Sequence, residues 1–247
     1  MPKRWRYLYR VGVELEGGWH NRPCGLTRDG SVHVDADHVG EVPSPVLTPE
    51  NLLEWMDSVY PDLVNGTCGL HVHVSVRTVG LYSILMERDF YDHLKKSLED
   101  WGKRSKVIAR HPFWSRLRGA NQYCLDEHVP EKQWQQQDKG CDRYAILNYT
   151  WARYKTVEVR VLPAFKLKCV AKDAVLEVCN IFENYCRAHS KERLTRATSD
   201  VAVLDDDVLC PERQVVQYLK ELDTPEAQML TADLDLECFT RPMLAEV

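Results

Sequence analysis

The chain has 247 residues, room for one large domain or two small ones. At 44% hydrophobic and 28% charged it has the composition of a globular protein, which excludes a disordered chain but neither an enzyme nor a binding module. The net charge of −5 is uneven: residues 200–247 hold twelve acids against Arg213, Lys220 and Arg241, a net of −9, so the rest carries +4. That asymmetry places an anion-handling surface in the first 200 residues. No apolar run approaches the ~20 residues of a membrane span. The opening MPKRWRYLYRVGVELE lacks the apolar core of a signal peptide. The expectation is a soluble, cytoplasmic protein with no membrane partner.

Taken in order, residues 4–16 read as a strand stopped by Gly17-Gly18. Short strands follow at 31–35 and 39–42. Thr48 is a good N-cap and Pro49 fits the first helical position, so a helix is predicted from there until Pro61 ends it. Residues 69–77 read as a strand, and 81–106 as one long helix with a stripe of Leu81, Leu85, Phe90, Leu94 and Leu98. Residues 107–142 read as irregular. A hairpin is predicted over 144–152 and 155–162, then a helix over 166–189 and helices near 211–222 and 225–232. The expected fold class is α+β, a curved antiparallel or mixed sheet with helices on one face. Residues 1–198 form the main domain and 199–247 its acidic helical extension.

Nine cysteines, an odd number with no CxxC, argue against a disulfide framework or a thiolate zinc site. Cys179 and Cys186, seven apart in a helical pattern, are expected in the core.

One pattern occurs three times. Glu14-x-Glu16, His71-x-His73 and Glu158-x-Arg160 each lie in an alternating apolar run, VGVELE, GLHVHVSV and KTVEVRVLP. Residues two apart on a strand share a face. With Glu41 of VGEVPSP, the set is four carboxylates, two imidazoles and a guanidinium. Burying an ionised carboxylate costs several kcal/mol unless a cation compensates it. Divalent ions and a phosphate-bearing substrate are the expected compensation. Asp29 and Ser31 read as turn residues or as part of this set. Between Trp101 and Leu125 lie Lys103, Arg104, Lys106, Arg110, Arg116 and Arg118 with no acid, interleaved with Phe113, Trp114 and Tyr123. This suits phosphate or an acidic substrate, then a solvated helix end and loop, and least a nucleic acid.

The succession VGVELE, DGS, GEVPSP, CGLHVHVS, RGANQYC, DRYAILN and KTVEVRVLP, over residues 10–165, resembles the amidoligase family of glutamine synthetase-like carboxylate–amine ligases. The resemblance implies a glutamine synthetase-like sheet and an ATP-dependent reaction joining a carboxylate substrate to an amine substrate through an acyl phosphate. It implies Mg²⁺ or Mn²⁺ held by Glu14, Glu16, Glu41 and Glu158, with His71 beside metal and nucleotide. Glu41 is implied as a further metal or substrate carboxylate. Arg160 and Arg143 are implied to face the transferring phosphate. His73, Arg116, Arg118 and Asn121 are candidates for nucleotide contact. The substrates are a small molecule, a peptide or a larger molecule, and an oligomer is compatible.

Two other readings stand beside it. A metal-dependent hydrolase with His71, His73 and a Glu on zinc accounts for HxH but not for the surplus carboxylates and arginines. A non-catalytic nucleotide-binding module accounts for the fold but leaves an intact charged set without a use.

Overall fold

The computed structural model describes residues 5–122, 124–130, 144–150 and 154–200, with side chains of the last helix as far as residue 189. Five strands form one open antiparallel sheet: β1 (Leu8–Trp19), β2 (His38–Pro43), β3 (Gly69–Val76), β4 (Leu147–Tyr149) and β5 (Val157–Pro163), in spatial order β2-β1-β3-β5-β4. The helices are α1 (Pro49–Val59), α2 (Val79–Leu85), α3 (Arg88–Arg104), α4 (Pro112–Leu117) and α5 (Lys168–Asp200). Among the described residues, no helix is long and apolar enough to cross a membrane.

The period-2 pattern makes the sheet two-faced. Val11, Val13 and Leu15 of β1, Leu70, Val72 and Val74 of β3, and Val157 and Val159 of β5 are buried in one core with the helices. From α1 come Leu52 and Met56, from α3 Phe90, Leu94, Leu98 and Trp101, and from α5 Ala171, Ala174, Val175, Val178, Phe182 and Tyr185. The α5 positions recur at three and four residues, one stripe of a helix. Each large apolar side chain buried this way contributes about 1.5–3 kcal/mol. Cys179 and Cys186 lie in that core, as their spacing predicts.

Thr48 caps α1, its hydroxyl accepting from the Asn51 amide at 3.4 Å, with Pro49 in the first turn. Elsewhere the elements differ from the sequence-based expectation. β1 runs through Gly17 and Gly18 to Trp19, because β2 pairs with it there (Gly17↔Gly40, Gly18↔Val39). These glycines permit close approach rather than ending the strand: a Cβ on Gly17 would lie 2.5 Å from Pro61 Cβ, and one on Gly18 2.5 Å from Ala36 Cβ. Residues 31–35 form no strand. The predicted helix over 81–106 is two helices, broken at Met86 and Glu87, where extended Glu87 starts α3. The segment expected to be irregular contains α4, begun by His111 and Pro112. The helices expected near 211–222 and 225–232, and the acidic extension beyond residue 200, lie outside the described residues.

Candidate metal and anion site

The other face of the sheet carries the charge. Strand register does the assembly: Glu14 stands opposite His71, Glu16 opposite Glu41, and Glu158 between His73 of β3 and Asn148 of β4. The three i, i+2 pairs found in the sequence, and Glu41, are thus brought to one face.

His71, 3% exposed, is the hub. Its Nδ1 lies 3.1 Å from Glu14 Oε2 and 3.5 Å from Glu158 Oε1, and its Nε2 lies 3.4 Å from Glu16 Oε1. His73 Nε2 is buried and lies 3.4 Å from Glu14 Oε1, a long contact. Its Nδ1 lies 3.3 Å from the Thr156 hydroxyl. Glu158 is gripped at both oxygens: Arg160 Nη1 donates to Oε1 at 2.6 Å and Asn148 Nδ2 to Oε2 at 3.0 Å. The β3–β5 register shifts between Leu70 and Val72, opposite Arg160 and Val161. Such an irregularity re-aims a side chain, here the Arg160 guanidinium.

A second arginine enters from α4. Arg116 is 1% exposed and donates to the Cys68 carbonyl at 3.1 Å, while its Nε has no partner. Gly69 makes this approach work. A Cβ there would lie 2.7 Å from His71 Nε2, 3.0 Å from Glu16 Oε2 and 3.2 Å from Arg116 Nη1. The bare Gly69 amide instead donates to Glu16 Oε2.

The electrostatics record unequal compensation. Burial raises the Glu14 carboxyl, but hydrogen bonds and positive charge from His71 and His73 outweigh it and hold it far below the usual range. Glu158 is likewise pushed up by burial and pulled below its ordinary value by Arg160, His73 and His71. Burial lowers His73, yet its contact with the Glu14 carboxylate and the charge of Glu158 leave it raised. Glu41 goes the other way: burial, then the charges of Glu14 and Asp29, push it up.

Among the described residues, two groups of three could hold a cation. Glu16, Asp29 and Glu41 offer oxygens within 4.8 Å of one another, and Glu14, His73 and Glu158 offer an oxygen–nitrogen set equally close. Among the described residues, five carboxylates face two guanidiniums, and His73 Nε2 is a buried nitrogen whose one charged contact is the 3.4 Å approach to Glu14. These residues fit divalent metal. The all-oxygen group suits hard Mg²⁺ or Mn²⁺, while the mixed group also suits softer ions.

The sequence-predicted residues divide. Glu14, Glu16, Glu41, His71, His73, Glu158, Arg160 and Arg116 converge, although the mixed cation group contains His73 rather than His71. Arg118 is exposed at the end of α4, where its charge acts on Glu99 of α3. Asn121 makes an isolated bridge to Cys124. Arg143 and Tyr123 lie outside the described residues. Within the basic stretch, Lys103 pairs with Glu99 and Arg104 with Glu177. Sequence reasoning missed Asn148 and Thr156, and left Asp29 between turn and site. Asp29 does both: its Oδ1 accepts from the Ser31 amide and hydroxyl at 2.7 Å while joining the all-oxygen group. The DRYAILN segment offered no alternating charged pair that would mark Asn148.

Compared with known proteins, the chain matches no family model, no curated protein and no solved structure.

Proposed function

We propose that this chain is an ATP-dependent carboxylate–amine ligase of the amidoligase kind, on a glutamine synthetase-like sheet. The observation that carries the reading is the half-buried charged face, where carboxylates from three strands and a loop meet two imidazoles and two arginines, Arg116 buried and Arg160 partly so. A carboxylate is a poor electrophile; phosphorylation by ATP makes it an acyl phosphate with release of ADP, and attack by an amine then gives the amide and phosphate. The first step brings two anions together, so catalysis is chiefly positioning and charge neutralisation. Divalent ions, when bound, would supply that neutralisation. Glu14, Glu16, Asp29, Glu41, His73 and Glu158 would hold them. Arg160 and Arg116, with planar forks suited to oxyanions, would hold the phosphoryl oxygens. His71 keeps Glu14, Glu16 and Glu158 in one array. Asn148 fixes the orientation of Glu158.

The test is incubation with ATP and Mg²⁺, a panel of carboxylic acids, and hydroxylamine as a generic amine. The reading expects hydroxamate and ADP in equal amounts for some member of the panel. ADP formation that never yields hydroxamate argues for a nucleotide hydrolase instead. The mixed Glu14–His73–Glu158 group favours a second reading, a zinc-dependent hydrolase. That reading expects ester or amide cleavage with Zn²⁺ and no need for nucleotide.

A further inference from the structure

Glu158 is claimed twice. It belongs to the mixed cation group with Glu14 and His73, yet Arg160 already donates to its Oε1 at 2.6 Å. A Mg²⁺ or Mn²⁺ ligated by Glu158 Oε1 would sit about 2 Å from that oxygen. It then lies within roughly 5 Å of the guanidinium, on a face whose burial leaves little water to screen like charges. Asn148 holds Oε2 from β4 and Glu158 is buried, so the carboxylate cannot turn away from both. The partner left to move is Arg160, whose Nε is buried without a hydrogen-bond partner and whose guanidinium carbon lies 5.9 Å from the Tyr144 ring centre.

We infer that Arg160 is a cation-gated anion receptor: without metal it is locked on Glu158, and cation binding at Glu14–His73–Glu158 releases it to take a phosphate-type oxyanion. This rests on the proposed metal and nucleotide site and adds an order to it, cation before anion. The gate is a second reason for the anion to need the metal, distinct from direct bridging of metal to phosphate. It also keeps the site from taking phosphates when no ion is present to make them reactive.

The two reasons separate in metal-free protein. Inorganic pyrophosphate is the probe, titrated by calorimetry with chelator present. Wild type is expected to bind it negligibly. Glu158→Gln removes the lock and is expected to bind it about tenfold more tightly or better without metal, the worth of one freed charge-assisted contact. Glu14→Gln removes the same charge but leaves the lock, and is expected to gain much less. Glu158→Gln with Arg160→Gln is expected to lose the gain. Equal gains in Glu158→Gln and Glu14→Gln, or a gain surviving the double change, would overturn the gate.

A readout on the unmodified protein guards against variants that fail to fold. The ¹⁵Nε resonance of Arg160, assigned with Arg160→Lys, should shift when Mg²⁺ alone is added. Mg²⁺ that raises the melting temperature without moving that resonance overturns the gate while leaving the cation site standing. No response to Mg²⁺ or Mn²⁺ in either measurement sinks both the gate and the metal site beneath it.

Discussion

Glu16 and Glu41 stand directly opposite each other across β1 and β2, two carboxylates in one cross-strand pair. Like charges in this position destabilise a sheet by roughly 0.2–1 kcal/mol. Burial and the neighbouring Glu14 and Asp29 charges raise the Glu41 carboxyl above its ordinary 4.5. An acid raised in the folded state favours folding while protonated, and that advantage is lost as pH rises through the folded value. Glu41→Gln removes the effect. In chelator, the variant should therefore melt a few degrees above wild type at neutral pH, with the gap closing towards pH 4. Saturating Mg²⁺ should shrink or reverse the gap, because wild type gains more from the ion. Melting curves across pH, with and without Mg²⁺, check this.

Gly69 should not tolerate a side chain. An added Cβ meets His71, Glu16 and Arg116 at once, and all three are buried. Gly69→Ala should destabilise the protein by about 1–3 kcal/mol. It should also weaken Mn²⁺ binding in whatever fraction remains folded. Urea unfolding and Mn²⁺ titration measure the two effects separately.

Far from the charged face, Glu183 of α5 anchors the start of β1. Its buried carboxylate accepts from the backbone amides of Arg6 and Tyr7 at 2.9 Å and of Leu8 at 3.3 Å, and Arg187 Nη2 lies 3.3 Å away. Glu183→Ala leaves those donors without their acceptor and should cost roughly 3 kcal/mol. Because the site lies elsewhere, cation affinity of the folded variant should stay near wild type.

The thiols offer a check on the core. Burial pushes the Cys124 and Cys186 thiols up to about 12, while Cys24 and Cys169 are exposed. A thiol must ionise to react. Brief alkylation of native protein at pH 8, mapped by peptide mass, should modify Cys24 and Cys169 and spare Cys68, Cys124, Cys179 and Cys186. Rapid labelling of Cys124 or Cys186 would contradict the packing of α4 or α5.

What the sequence made legible was whatever depends on local period. Alternation alone puts Glu14 with Glu16, His71 with His73 and Glu158 with Arg160, because neighbours at i+2 must share a face. Thr48 and Pro49 announce α1 through an equally local mechanism. What was hidden depends on partners distant in sequence. Gly17 and Gly18 look like a stop until Pro61 and Ala36 are seen against them. Glu16 opposite Glu41 is a fact of register, set by how β2 returns. Asp29 reaches the all-oxygen group from a loop, and Arg116 reaches Gly69 from a helix of six residues, neither with a periodic signature. The broken helix at Met86 and Glu87 carries no Pro or Gly to mark it.

The most direct test of the account is calorimetric binding of a non-hydrolysable ATP analogue, with chelator, Mg²⁺, Mn²⁺ or Zn²⁺, in wild type and in Glu14→Gln. The account predicts one nucleotide bound per chain only when Mg²⁺ or Mn²⁺ is present, with affinity reduced at least tenfold in the variant. Zn²⁺ binding with no nucleotide bound under any condition, or nucleotide binding indifferent to metal and to Glu14, would contradict it.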